Sequence, residues 1–379
     1  MKSKLNTAPL MRVLSAFFFV AFTFSYLYFY QADVMAATQH LLSGGQTHYD
    51  RTIGALLVTL ALYLLHLGVL AVTKLTRRAH AITYFPSLLC LCVLTSIRIH
   101  PDLTFDFGIM QWLLVVLLVV FCFVAYFFRK VSIFEEKIKP RYSPIRLLWA
   151  NLLTLAVMFL LVGLCSNHDD AMHYRLRAES CLMARDYDGA LNVGKQSLVC
   201  DSNLTMLRIQ ALARKRQLGE RLFEYPLCGG SSVMMPNGKN IRPILCPEYR
   251  FIRYPELDYQ LCQYLLDKKL DAFAQVLKAN GARYGLEPTP AKTSQKTSAP
   301  AEADSVPVQQ PLPKHYAEAL VMYTRMRAQP VIDYHHDVIS ADYEDFLKIL
   351  RGESDPRKRN TRLRDVYGNT YWYYYVSNR

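Results

Sequence analysis

The first residues able to do chemistry fall between the first two apolar runs of the chain: Asp33, His40, His48 and Asp50, with Gly44-Gly45 between the histidines. An acidic side chain held close to a bilayer can act as a base or hold a metal, as enzymes working on lipid-linked glycans or headgroups require. The spacing of these four fits no ligand set, so a structural or interface role stands beside the catalytic one. A second cluster, His168, Asp169, Asp170 and His173, follows the last long apolar run. On a helix Asp169 and His173 share a face, as a two-ligand metal site needs, but His168 points elsewhere and acids at a helix start also favour the dipole. A third, His335-His336-Asp337, precedes an expected helix. There is no phosphate-binding loop, no G-x-S-x-G, no dinucleotide glycine fingerprint and no H-E-x-x-H. No cofactor, no metal and no small-molecule ligand is called for.

The elements that must position these groups belong to two solvents. The 379 residues carry a formal charge of +13 and are 52% hydrophobic, but the apolar residues crowd into the first half. A bilayer core needs about 20 mostly apolar residues in a helix, because every backbone group must be paired internally. Residues 13–32, 52–73, 107–128 and 147–165 are such runs, and none contains Asp, Glu, Lys or Arg. The first is longer than the apolar stretch of a signal peptide, so it is read as a retained span despite Met35-Ala36-Ala37. A fifth, 81–97, is shorter and holds Thr83, Pro86, Ser87, Thr95 and Ser96, with His80 and Arg98 able to snorkel from its ends. Ion-coupled transporters and proton relays usually keep charged groups at membrane depth, so the empty spans argue against transport. His66 reads as a neutral, hydrogen-bonded packing residue.

Orientation follows the basic residues of short loops. Lys2, Lys4 and Arg12 precede the first span; Lys74, Arg77 and Arg78 follow the second; Arg129, Lys130, Lys137, Lys139, Arg141 and Arg146 separate the fourth and fifth. With five spans every loop agrees: N-terminus in the cytoplasm, residues from Ser166 onward outside. Basic excess of this kind marks orientation and lipid contact; Arg357-Lys358-Arg359 has no interleaved aromatic platform, so nucleic-acid binding is not expected.

Residues 166–286 have the periodicity of paired amphipathic helices: 171–184 with 188–199, 204–217 with 220–225, and 257–266 with 269–277. Tyr174, Ala178 and Ala190 fall on the aromatic and small positions of a tetratricopeptide pattern, with Asp201-Ser202-Asn203 at its end. Cys181, Gly194 and Ser202 depart from that pattern, and ordinary bundle packing is the alternative. Between the second and third pairs, Asn237-Gly238 signals a tight turn, nearly equidistant from Cys228 and Cys246. In an oxidising compartment these two cysteines could close the base of a small hairpin by a disulfide; otherwise they are buried thiols. Pro243 limits any strand there. Residues 287–311 have linker composition, and 312–379 read as a C-terminal helical segment with helices at 313–327 and 341–350. Its tail, Tyr371-Trp372-Tyr373-Tyr374-Tyr375, is either a packed final element or an exposed platform.

Gln31-Ala32-Asp33, Leu42-Ser43-Gly44-Gly45, Thr47-His48-Tyr49, Leu312-Pro313-Lys314-His315 and Tyr367-Gly368-Asn369-Thr370-Tyr371 with the aromatics after it resemble a family of uncharacterised bacterial membrane proteins, a domain of unknown function. The resemblance implies a Gram-negative inner membrane, hence a periplasmic outer side, and carries no activity. The expected protein is all-α: a five-span membrane domain (1–165), a tetratricopeptide-like periplasmic repeat domain with a Cys/Gly hairpin insertion (166–286), the linker and the C-terminal segment. The leading functional expectation is a scaffold whose repeat domain binds other envelope proteins, with membrane lipid around the spans. The alternative is an enzyme or enzyme subunit using the first loop on envelope glycan.

Overall fold

A computed structural model describes residues 7–75, 79–100, 103–138, 144–237, 241–246, 251, 256–286 and 310–377. Lys2, Lys4, Arg77, Arg78, Lys139 and Arg141 of the orientation signal, Gly238 of the turn, and residues 287–309 of the linker lie outside that set. The chain divides into compact units at Leu176 and Arg177.

The first unit is built from the apolar runs. Helix α1 (Thr7–Ser25) passes through a π turn (Tyr26–Tyr30) into α2 (Ala32–Leu42); α3 (Arg51–Thr73), α4 (Phe85–Thr95, led by a 3₁₀ turn at Ala81–Tyr84), α5 (Met110–Ile138) and α6 (Pro144–Cys165) follow. A two-residue antiparallel ribbon, β1 (Arg98–Ile99) with β2 (Phe105–Asp106), joins α4 to α5. Among the described residues four helices, Pro9–Tyr30, Arg51–Thr73, Met110–Val131 and Ile145–Cys165, are long and apolar enough to cross a membrane. They leave apolar side chains uncovered, such as Trp112 (72% exposed) and Phe123 (71%), as a lipid solvent allows. The expected fifth span is the shorter apolar helix Ala81–Thr95. It packs against α3, α5 and α6 and buries Leu88, Leu89, Leu91 and Cys92, so it is apolar because protein surrounds it.

Helix α7 (Asp170–Met183) leads into the second unit and, with α8 (Tyr187–Asn192), α9 (Ser202–Arg214), α10 (Leu218–Arg221), α11 (Leu257–Leu266) and α12 (Leu270–Ala279), makes six helices over the segments of the three expected pairs. α8 stops short of the expected 199 because Gly194 turns left-handed (φ +59°). The three pair turns share one geometry. Arg185, Arg216 and Lys268 each sit at positive φ, between +55° and +60°. The next residue in each case returns its N–H to a carbonyl five positions back: Asp186 to Cys181, Gln217 to Leu212, Lys269 to Tyr264, all at 2.9 Å. This is the Schellman closure of a helix end, with a cation in place of glycine, next to the negative end of the helix dipole.

A short α13 (Gly281–Tyr284) precedes α14 (Lys314–Met326), α15 (Asp337–Gly352), α16 (Pro356–Tyr367) and α17 (Tyr371–Ser377). α14 is central: it packs against α10, α12, α15 and α17, and every residue from His315 to Tyr323 is buried. The C-terminal helices and the paired helices therefore share one core. Tyr371 and Trp372 are buried in it, so the aromatic tail is a packed element.

The expected Cys228–Cys246 disulfide is corrected. Cys228 is bonded to Cys200, with S–S 2.07 Å and Cα–Cα 6.2 Å, and Cys246 is a buried thiol. No strand forms among the described residues of this segment; a 3₁₀ turn at Ser231–Val233 replaces it. The reason lies in Glu179, whose Oε2 accepts the backbone N–H groups of Ile244 (2.7 Å), Leu245 (2.6 Å) and Cys246 (3.3 Å). That anchor draws Cys246 to α7, while Cys228 donates its N–H to Thr205 Oγ1 on α9 (3.1 Å), beside Cys200.

Two outcomes follow for stability. Cys200→Ser is expected to cost about 3–4 kcal/mol by the loop-entropy relation, read by denaturant unfolding with and without reductant; a reductant-insensitive wild type contradicts the bond. Arg216→Val should lose about 1–2 kcal/mol at its left-handed position, whereas Arg216→Gly should lose nothing in the same assay.

Candidate functional site

The four first-loop candidates do not converge. Asp50 caps α3, accepting from the N–H groups of Thr52 (2.9 Å) and Ile53 (2.7 Å). The ring of His40 packs over Gly45, where an added Cβ would stand 3.2 Å from Cε1. His48 lies on the rim of a groove of about 700 Å³, with Ser43, Thr47 and Asp50, over an apolar floor that includes Ile53 and Leu57. Tyr49 packs tightly on Gly54, which no side chain could replace without displacing the ring.

Asp33 goes elsewhere. It opens α2, and its Oδ2 lies 3.2 Å from His173 Nδ1, both side chains largely covered (15% and 11% exposed). His173 Nε2 faces the carbonyl oxygen of Asn167 at 3.4 Å, and its ring lies 5.3 Å from that of Tyr30. Both ring nitrogens thus meet acceptors, an arrangement that only the doubly protonated imidazolium satisfies. Burial works against that charge, but the hydrogen bond and charge of Asp33 outweigh it, and the His173 pKa is raised. A histidine so committed clamps two distant segments together and holds no lone pair for base catalysis.

The surrounding groups extend the clamp. Gln31 Nε2 donates to Tyr26 Oη (3.2 Å) and reaches the Asn167 carbonyl (3.5 Å), and Tyr26 is hydrogen-bonded to Ser166. Asn167 ties its own N–H to Thr95 O (2.9 Å) and its amide to Ile97 O (2.9 Å). Next to it a cavity of about 490 Å³ is lined by Arg98, His100, His168 and Asp169. Asp169, expected to share a metal with His173, instead caps α7 through Ala171 N (3.1 Å) and Met172 N (3.3 Å). His336 caps α15 in the same way, at Ile339 N, while His335 pairs with Asp337 at the surface. Among the described residues no three His, Cys, Asp or Glu side chains gather as a metal site.

The second unit holds a polar centre that sequence reasoning met only as part of a resemblance. His315 Nε2 accepts from Phe223 N (3.3 Å), so Nδ1 carries the proton and donates to Glu318 Oε2 (3.0 Å). The same oxygen accepts from Tyr371 N (2.8 Å), and the Glu318 carbonyl accepts from Trp372 Nε1 (2.8 Å). The segments 312–315 and 371–372 therefore meet at one buried carboxylate. Arg208, 1% exposed, is likewise absorbed by the carbonyls of Pro226, Val193 and Gly194 at 3.2–3.3 Å. Burial pushes the Cys262 thiol up to about 12, which makes it an inert packing residue.

Fold and sites together define a helical protein with several apolar, span-length helices and a separately cored helical unit whose buried charges are structural. Residues 255–378 match the model of a family of unknown function (DUF6057). The match takes in Leu312-Pro313-Lys314-His315 and the aromatic tail, and leaves out the first loop. No curated protein and no solved structure matches the chain.

The clamp has a pH signature. Because the folded pKa of His173 is raised above its ordinary 6.5, the stability it adds is complete below about pH 6.5 and fades as pH rises through the folded value. Asp33→Asn should therefore lower the thermal midpoint in detergent more at about pH 6 than at about pH 8.5. An equal loss at both would rule the charged pair out.

Proposed function

We propose that the chain is a membrane-anchored interaction protein of a bacterial envelope. Five helices, with Ala81–Thr95 as the fifth, cross the inner membrane; the N-terminus is cytoplasmic, and the helical unit is periplasmic and binds other envelope proteins. The observation that carries this reading is the common turn at Arg185, Arg216 and Lys268. A recurring turn brings successive helices back on one another, and stacked helix pairs present extended binding surfaces without catalytic groups. The Cys200–Cys228 bond supports an oxidising compartment.

Helix α16 supplies the contact surface. It buries only Leu363 and exposes Arg357, Lys358, Arg362 and Arg364, a face suited to an acidic protein partner. The first-loop enzyme reading gains no such support, since Asp50 is spent on a helix cap and Asp33 on His173.

Reporter fusions at Ser43, Lys137 and Arg379 are expected to read outside, inside, outside. A cytoplasmic Arg379 would remove the periplasmic reading. In cells, a photo-crosslinker at position 362 should trap a protein adduct that Arg357→Glu abolishes and that Asp33→Asn with Asp50→Asn leaves intact. Loss of the adduct on the Asp changes alone would favour the first loop as the working surface.

A further inference from the structure

One face of α1 and the π turn is buried at four-residue spacing: Met11, Ser15, Phe19, Thr23, Leu27 and Gln31. Three of the six are polar, and Ser15 Oγ, Thr23 Oγ1 and Gln31 Oε1 have no hydrogen-bond partner. Neighbouring elements of the same unit add Thr59 on α3, Ser87 on α4 and His80, all buried and with unpartnered side-chain atoms. Serine and threonine in helices ordinarily return the hydroxyl to the carbonyl one turn back. Thr38, Thr73, Thr95 and Thr154 of this unit do so at 2.7–2.8 Å. The four core hydroxyls do not, and so remain able to bind something else.

The histidines give the column its chemistry. His80 is 1% exposed and neither ring nitrogen has a partner, although a neutral imidazole offers one donor and one acceptor. Its ring lies 5.9 Å from that of His66. Thr83 gives its single hydroxyl proton to His80 O (2.6 Å), so its contact with His66 Nδ1 (3.3 Å) has the imidazole donating. That leaves His66 Nε2 with the ring's lone pair. His66 also stacks on Tyr84 (3.6 Å, 7°), and Tyr84 closes against Phe19 (4.9 Å). At the far end of the stripe stand Gln31, Tyr26 and Ser166, then the Asp33–His173 pair. Ser15 and Gln31 are about 24 Å apart at 1.5 Å per residue, most of the roughly 30 Å of a hydrocarbon core.

We propose that this column is a proton path: water bound along Ser15, Thr23, Thr59 and Ser87, with His80 and His66 as relays at one end and Gln31 and Tyr26 at the other. Each step is a hop. An imidazole lone pair takes a proton from a hydrated donor and the opposite ring N–H releases one to the next acceptor; only N–H and O–H bonds form and break. A transmembrane proton gradient or potential supplies the drive. The carrier is a proton: hydroxyls and neutral imidazoles each offer both a donor and an acceptor, which a relay of protons needs.

The full chain in lipid vesicles, driven by a valinomycin potassium potential and read by an internal pH dye, should acidify the lumen faster than protein-free vesicles. His80→Phe and Thr59→Val should each cut that flux, the first on the order of tenfold or more. Flux equal to empty vesicles, or full flux in His80→Phe, overturns the proposal. Independently of any variant, deuterium exchange at the imidazole C2 position of the wild-type protein should label His80 at a rate comparable to exposed His335. An unlabelled His80 means a dry core and ends the idea.

Discussion

A polar group taken out of water must find its partner inside the chain, and that requirement decides more of this structure than any apolar contact. An unmade hydrogen bond on a buried group costs about 1–3 kcal/mol, more when the group is charged. Glu318 meets the requirement by serving His315 and Tyr371 from one carboxylate oxygen, with its carbonyl serving Trp372. α14 can then be buried all round, and α10, α12, α15 and α17 can close on it. Glu179 does the same for three consecutive backbone N–H groups. Replacing either by an apolar residue would leave several donors orphaned at once, so both act as pins whose loss propagates.

The same rule explains why a disulfide fell where it did. Cys246 is held by its own backbone N–H on Glu179, and Cys228 by Thr205. With those two bonds set, Cys228 meets Cys200, the residue before the Asp201 cap of the helix that carries Thr205. The cross-link records the hydrogen-bond network rather than the symmetry of the intervening turn.

What the sequence made legible was whatever repeats locally. Charge-free runs of span length gave the four long helices, and α11 falls on the expected 257–266. What it hid was whatever depends on distance along the chain. Asp33 and His173 fall in separate clusters of the sequence, because nothing in either segment announces a partner 140 residues away. The αL position of Gly194 cut α8 short, and a run as polar as Pro356–Tyr367 showed no apolar stripe by which a helix is recognised, since Leu363 is its single buried residue. His80 read as a snorkelling end group; the 3₁₀ turn at Ala81–Tyr84 instead folds it inward against His66.

The two units therefore answer one constraint in opposite ways. In the second, buried charged side chains lean on backbone groups, Arg208 on three carbonyls and Glu318 on the N–H of Tyr371, and such bonding favours a single arrangement. In the first, no carboxylate or cation is buried along the α1 stripe, yet seven side-chain atoms of six residues there and around it lack partners. Charges would have demanded protein partners and closed the core. Hydroxyls, an amide and imidazoles tolerate exchange with water at lower cost. A bundle lined with such groups keeps an interior that is polar without being charged, which is the condition under which small hydrogen-bonding species, and protons with them, can enter while ions stay out.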